Sequence, residues 1–394
     1  MMQLHKRVGW RTLMVITVLA LCELGASTNR IARANLRAEN SGDIGWRPIP
    51  NQNARFGRRG IPCIINSYGC RDREWNLPRA DDGVFRIALL GNSLTFGAGV
   101  TIEETWGRRL ESLIKEDDAN RGIEREVLVM NFASQGFVLD QMVLAYERFA
   151  RAFHPDLVLI GTVPHDIVPH CPAPAPSDSP FRRTIAMTDF HHLLSQTAIG
   201  PLHTQLTTPW GVDRQRERAL RIEAAVKRAP LGIDTMPYWD LALERAAALE
   251  AQVHQDGARF VVLPLPRFAD MAVRSRKTHR SIWGRWTRRN WQKGQPGRTL
   301  MIDAREHFEV AMADLWAAIR AKGVDRAYRP VKGSLRGVLD PSLPHREQCL
   351  FLEDDRGHYS AKGHRVVGDA AFLRLSNAGY LDPVELEQRT ASGQ

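Results

Sequence analysis

An α/β fold, three layers around a central parallel sheet, is what this sequence predicts, and three observations carry the reading. From Val84 onward, apolar strand-like runs alternate with amphipathic helical stretches. One of those runs, 156–161, is apolar almost throughout, as a strand buried on both faces must be. Polar turns containing Ser93, the Ser134-Gln135-Gly136 tripeptide and the His165-Asp166 pair each follow a strand end. Such alternation implies parallel strands joined by right-handed crossovers, with ligands bound beyond the carboxyl ends of the strands.

Taken in order, residues 28–83 hold no strong periodicity and are rich in Arg, Asn, Pro and Gly, so an extended lead-in is expected there. Residues 84–90 form the first strand. Helix 103–115 follows, with Trp106, Leu110, Leu113 and Ile114 spaced for one face. A strand at 126–131, a helix at 139–153 and the strand at 156–161 continue the pattern. It then pauses: residues 169–180 contain five prolines and form a loop. A helix over 238–255 leads into a strand at 259–265; further helices are predicted over 303–322 and 360–378. The layout is one domain, 84–380, with insertions at about 169–257 and 267–300 and a tail at 381–394.

The 394 residues, 43% of them hydrophobic, suffice for one large α/β domain. The formal charge of +10 is concentrated: residues 271–300 contain nine Lys and Arg and no acidic residue. A basic segment is not a basic surface, so nucleic acid is not an expected partner. With Trp283, Trp286 and Trp291 interleaved, the segment reads as a solvated loop or as a patch for anionic polysaccharide or lipid headgroups. The five cysteines, Cys22, Cys63, Cys70, Cys171 and Cys349, make no CxxC pair, which argues against structural zinc. Cys63 and Cys70 are spaced either for a small disulfide loop or for two free thiols. No metal site is expected at His191, His192 and His203, which lack matching carboxylates.

At the N-terminus, Lys6, Arg7 and Arg11 precede an apolar run over 12–22, then Gly25 and Ala26. That is the layout of a signal sequence, and the run is short for a membrane span. Residues 1–27 are therefore read as a signal peptide or an N-terminal membrane anchor. In both cases the body is exported, to the periplasm or beyond.

The chemistry centres on G-N-S-L-T-F-G-A-G-V, residues 91–100. As a phosphate cradle the turn lacks both G-x-G-x-x-G spacing and a Walker lysine. Ser93 is then a helix cap or a nucleophile. A nucleophile needs a base, a group that orients the base, and oxyanion donors. His358 in D-R-G-H-Y-S-A-K-G-H is the best base, and Asp355, three residues earlier, can fold back onto its imidazole. Asp354 is a second candidate orienter. Gly136 can present a backbone N–H. Asp166 reads as a cap or hydrogen-bond anchor, and His364 as a structural residue of the last helix.

These stretches resemble the SGNH (GDSL-type) hydrolase family. G-N-S-L-T-F-G resembles its first block, usually G-D-S-x-T-x-G; N-F-A-S-Q-G-F the second, with its glycine at Gly136. P-D-L-V-L-I-G-T-V-P-H-D-I resembles the third, usually ending G-x-N-D, and the segment around Asp355 and His358 the last, D-x-x-H. The four occur in order across 84–378. The resemblance implies a flavodoxin-like α/β/α sandwich and a serine esterase for acyl, often acetyl, esters, with no cofactor. It makes Ser93, His358 and Asp355 catalytic, and Ser93 N–H, Gly136 N–H and the third-block position, His165 here, the oxyanion donors. Two positions depart from the family pattern: Asn92 replaces an aspartate and His165 an asparagine. A ring N–H can still donate to an oxyanion. Hydrolysis and acyl transfer to an envelope polysaccharide share one acyl-enzyme, and both readings stand. A non-catalytic envelope binding protein that kept the fold is the third.

Overall fold

Successive residues of each central strand point to opposite faces of one sheet, and both faces are covered. The structure, a computed structural model, describes residues 17–18, 36, 38–40, 44–56, 60–77, 83–163, 166, 239–266, 299–311, 313, 350–352 and 357–383. Four short strands come first and pair as two antiparallel hairpins: β1 (Ala38–Asn40) with β2 (Trp46–Pro48), and β3 (Gln52–Phe56) with β4 (Ile61–Ile65). The central sheet contains β5 (Val84–Gly91), β6 (Glu126–Asn131), β7 (Leu157–Thr162), β8 (Arg259–Pro264) and β9 (Leu300–Met301), all parallel, in the order β6-β5-β7-β8-β9. The chain lays β6 on one side of β5 and β7 on the other. The topological switch point, where such sheets bind ligands, therefore lies at the ends of β5 and β7.

On one face Ala88, Leu90, Met130, Val158, Ile160 and Val262 pack against α3 (Leu139–Arg148) and α4 (Trp239–Gln255). On the other, Ile87, Leu89, Val129, Leu159 and Val261 pack against α2 (Trp106–Arg121) and α5 (Ala361–Asn377). Each fully buried aliphatic side chain of this kind stabilises by about 1.5–3 kcal/mol, so the period-two apolar pattern fixes the register of the sheet. The three-layer α/β/α sandwich is as the sequence predicts.

Three features differ from the sequence reading. The lead-in, in its described part, is the two hairpins and the loop after β4; Ile44, between β1 and β2, and Cys70 and Trp75 of that loop enter the same core as α3 and α4. Helix α4 falls within the stretch 169–257 read as an insertion, but Ala242, Ala246, Leu249 and Val253 make it a core helix. Strand β9 lies at the edge of the span 267–300, and its two residues are too short to show a period. Cys63 and Cys70 are free buried thiols in separate clusters, and burial pushes Cys70 up to about 12. No helix among the described residues is long and apolar enough to cross a membrane. The run 12–22, apart from residues 17–18, lies outside the described residues, as do His165, Asp354, Asp355, the three insertion histidines and the three tryptophans.

Candidate active site

The turn after β5 is shaped by what it excludes. A Cβ on Gly91, or on Gly161 of β7, would overlap Thr95 Oγ1, so glycine alone lets the two strand ends close on this side chain. Asn92 then caps the short helix α1 (Ser93–Phe96), its Oδ1 accepting Leu94 N–H at 3.0 Å. Ser93 is the first residue of that helix and is partly exposed, whereas Leu94, Thr95 and Phe96 are buried.

Opposite it stands His358, whose Nε2 lies 2.8 Å from Ser93 Oγ although 265 residues separate the two in sequence. With Nδ1 carrying the ring proton, Nε2 accepts the hydroxyl hydrogen, the geometry a general base needs. The backbone that carries the imidazole is fixed by its neighbours. Leu352 N–H donates to His358 O at 3.0 Å, and Phe351 and Tyr359 form a β-bridge. Tyr359 OH donates to Pro266 O at 2.7 Å, just beyond β8. Ser360 then caps α5 by accepting Gly363 N–H at 3.2 Å. Asp355, the expected orienter, lies outside the described residues.

The second turn sits against the first. Phe132 N–H donates to Leu89 O at 2.9 Å and Ser134 N–H to Gly91 O at 3.2 Å. Gly136 has φ +69, a left-handed conformation that favours glycine. In the third turn, Asp166 is buried and accepts Val163 N–H at 2.7 Å. Asn92 Nδ2 donates to both of its carboxylate oxygens, each at 3.0 Å. That contact gives Asn92 a physical reason: an aspartate in its place would set two buried carboxylates against each other. It also bears out Asp166 as a hydrogen-bond anchor. His165 lies outside the described residues.

The second histidine of the segment behaves differently. His364 is buried, its Nδ1 accepts Trp106 N–H at 3.3 Å, and its ring meets Tyr359 edge-on. Burial, with the charges of Arg71 and His358, pushes its pKa down to about 3, so it is neutral and structural, as expected. Among the described residues no cluster of His, Cys, Asp and Glu could hold a metal ion. Three residues escaped the sequence reading: Asn131, Arg71 and Asp72. Asn131 Nδ2 donates to Thr95 O at 3.0 Å and its Oδ1 accepts Ala133 N–H at 3.1 Å, joining the first two turns.

A parallel sheet with helices on both faces, the serine after its first strand and the histidine before its last helix are now in view. The fold is a three-layer α/β/α sandwich with both residues at the carboxyl-end rim of its parallel sheet. No family model and no curated protein matches the chain. Several solved structures are similar to it. A lipolytic protein of the G-D-S-L family from Desulfitobacterium hafniense shares 11% identity at a TM-score of 0.37, over 74% of this chain and 99% of that one. The acetyl xylan esterase AlAXEase shares 12% at 0.38, over 73% and 98%. The psychrotrophic esterase EstA from a Pseudoalteromonas species shares 10% at 0.36, over 74% and 97%.

Proposed function

We propose that this protein is an exported serine esterase that cleaves short acyl esters, acetyl groups on a carbohydrate foremost. The observation that supports the reading most directly is the 2.8 Å contact between Ser93 Oγ and His358 Nε2 at the switch point of the sheet. Ser93 Oγ attacks the ester carbonyl and its proton passes to His358 Nε2. The negative oxygen is met by Ser93 N–H, Gly136 N–H and His165. As the tetrahedral intermediate collapses, the C–O bond to the alcohol breaks and His358 gives that alcohol the proton. Water, deprotonated by the same imidazole, then attacks the acyl-enzyme, and the acid and free Ser93 are released. Asp355 holds the imidazole in the reactive tautomer. These steps balance without a cofactor.

The test uses p-nitrophenyl acetate and a fluorophosphonate probe on the folded protein. The probe is expected to label Ser93, and Ser93→Ala to lower turnover by about 10⁶-fold. Folded protein that resists the probe, or an alanine variant that matches the wild type, would sink the reading. Labelling without release of acid, but with transfer to an added sugar, would redirect it to an acyltransferase.

A further inference from the structure

Arg71 and Asp72 lie outside all four motif blocks, on the loop after β4, yet both reach the turns that bear the chemistry. Arg71 is 2% exposed. Its Nη1 donates to Phe96 O at 3.0 Å and to Gly97 O; its Nη2 donates to Val100 O at 2.6 Å and to Pro62 O at 3.3 Å. Phe96 ends the helix that begins with Ser93, Gly97 and Val100 lie just beyond it, and Pro62 belongs to β4. The guanidinium carbon also sits 5.3 Å from the centroid of the Phe96 ring. Asp72 takes the other turn: its Oδ2 accepts Asn131 N–H at 2.9 Å, and Asn131 bridges Thr95 O and Ala133 N–H. Around these polar contacts Cys63 and Ile65 of β4 pack on Phe96 and Ala133, and Phe56 meets Phe96 edge-on at 6.1 Å.

We infer that Arg71 and Asp72 are positioning residues, a clasp supplied by the hairpin segment that sets the nucleophile turn against the turn bearing Gly136. Two adjacent side chains grip the two turns from one backbone, so neither turn shifts without the other. The planar, always-charged guanidinium suits four carbonyls at once; a lysine ammonium has three donors on a flexible stem and cannot span them. Misplacing reacting groups by about 1 Å can cost on the order of 10²-fold in rate. The effect on rate rests on the esterase reading; the clasp as a structural device does not.

The experiment compares full-length wild type with Arg71→Lys, Asp72→Asn and the harsher Arg71→Ala. Fluorophosphonate titration counts competent sites, p-nitrophenyl acetate gives kcat and KM per site, and amide exchange follows residues 93–98 and 131–136. For Arg71→Lys we expect kcat to fall about 10- to 100-fold with KM nearly unchanged. Both turns should exchange faster while β7 and β8 keep wild-type protection. Added guanidinium should return part of the rate to Arg71→Ala. Wild-type kcat per site with both turns still protected overturns the clasp. So does a loss of protection spread evenly through α3 and α4, which marks a purely structural role. A wild type without Ser93-dependent turnover overturns the esterase reading instead. The exchange pattern then decides alone: acceleration confined to the two turns supports the clasp, and unchanged exchange overturns it.

Discussion

The strand-end turns and the hairpin segment that braces them are held together by opposite means. At the turns the backbone closes on small neutral groups: Gly91 and Gly161 make way for Thr95, and Asn131 bridges two loops through its amide. In the segment 66–77 the contacts are charged and mostly buried. Arg71 faces carbonyls, Asp72 pairs with Arg108, and Arg73 pairs with Glu111. Neutral packing sets shape but tolerates sliding, whereas charged hydrogen bonds are stronger and directional. The site thus combines turns shaped by sterics with a brace that fixes their spacing.

Glu111 is where that comparison breaks most visibly. Its carboxylate, on α2, accepts from Arg73 at 2.9 Å twice, from Arg108 and Lys115 at 2.7 Å each, and from Val129 N–H at 3.0 Å. Burial would raise its pKa, but the hydrogen bonds from Arg73, Lys115 and Val129 and the charge of Arg108 outweigh it and hold it below the usual range. Glu111→Ala removes the carboxylate that Arg73, Arg108 and Lys115 share and leaves a β6 amide without its acceptor, and is expected to cost about 3–5 kcal/mol in urea unfolding. A loss under about 1 kcal/mol, the range of an exposed pair, would mean the brace is ornamental. Because the folded pKa is depressed, the contribution of the native carboxylate is present above its unfolded pKa and fades as pH falls through the lower folded one.

A smaller effect is expected on the neutral side. Asn92→Asp restores the family's usual first-block residue, but places it against buried Asp166. Loss of the amide donor and the new like charge should destabilise by about 1–3 kcal/mol or somewhat more at neutral pH. The pair would share a proton, so the folded state binds more protons than the unfolded one. The penalty is then largest above the ordinary carboxylate range and eases as pH falls. Adding Asp166→Asn should recover most of the loss. Stability of Asn92→Asp that is flat between about pH 5 and 8 and equal to wild type would show that the contact with Asp166 carries no weight.

The contrast also explains what was legible in the sequence. Ser93, Gly136 and His358 could be found because each sits in a short stretch with a recognisable local pattern. For Ser93 and Gly136 that pattern is a strand running into a glycine turn, and for His358 a polar turn before a helix. The parallel sheet and its strands β5 to β8 followed from strand–helix alternation; their order did not, and the two residues of β9 carry no period. Arg71 and Asp72 were invisible for the opposite reason. Their partners lie 25 to 29 residues away at Phe96, Gly97 and Val100, and 59 away at Asn131, and nothing in N-S-Y-G-C-R-D-R-E alternates. Loops rich in Arg, Asn and Gly look solvated whether or not a fold buries them. Asn92 looked like a loss of charge until Asp166 supplied the partner that makes a neutral residue fit.

The two histidines of the closing segment give the comparison its mildest test. His358 is half-buried and faces Ser93, whereas His364, six residues on, is buried and accepts Trp106 N–H. With its pKa lowered from 6.5 to about 3, His364 stays neutral in the folded state while the unfolded chain takes up a proton. The sign follows: stability rises with pH between about 3 and 6.5, is complete above that window, and is lost as pH falls through it. One proton sets the limiting slope at about 1.4 kcal/mol per pH unit. His364→Gln keeps an acceptor for Trp106 N–H but cannot titrate. Its unfolding free energy, plotted against pH, should fall less steeply than the wild type's below about pH 6.5, and the two curves should run parallel above about pH 7. Curves parallel throughout would show that the imidazole is protonated inside the fold, and that the tight seat between α2 and α5 tolerates a charge.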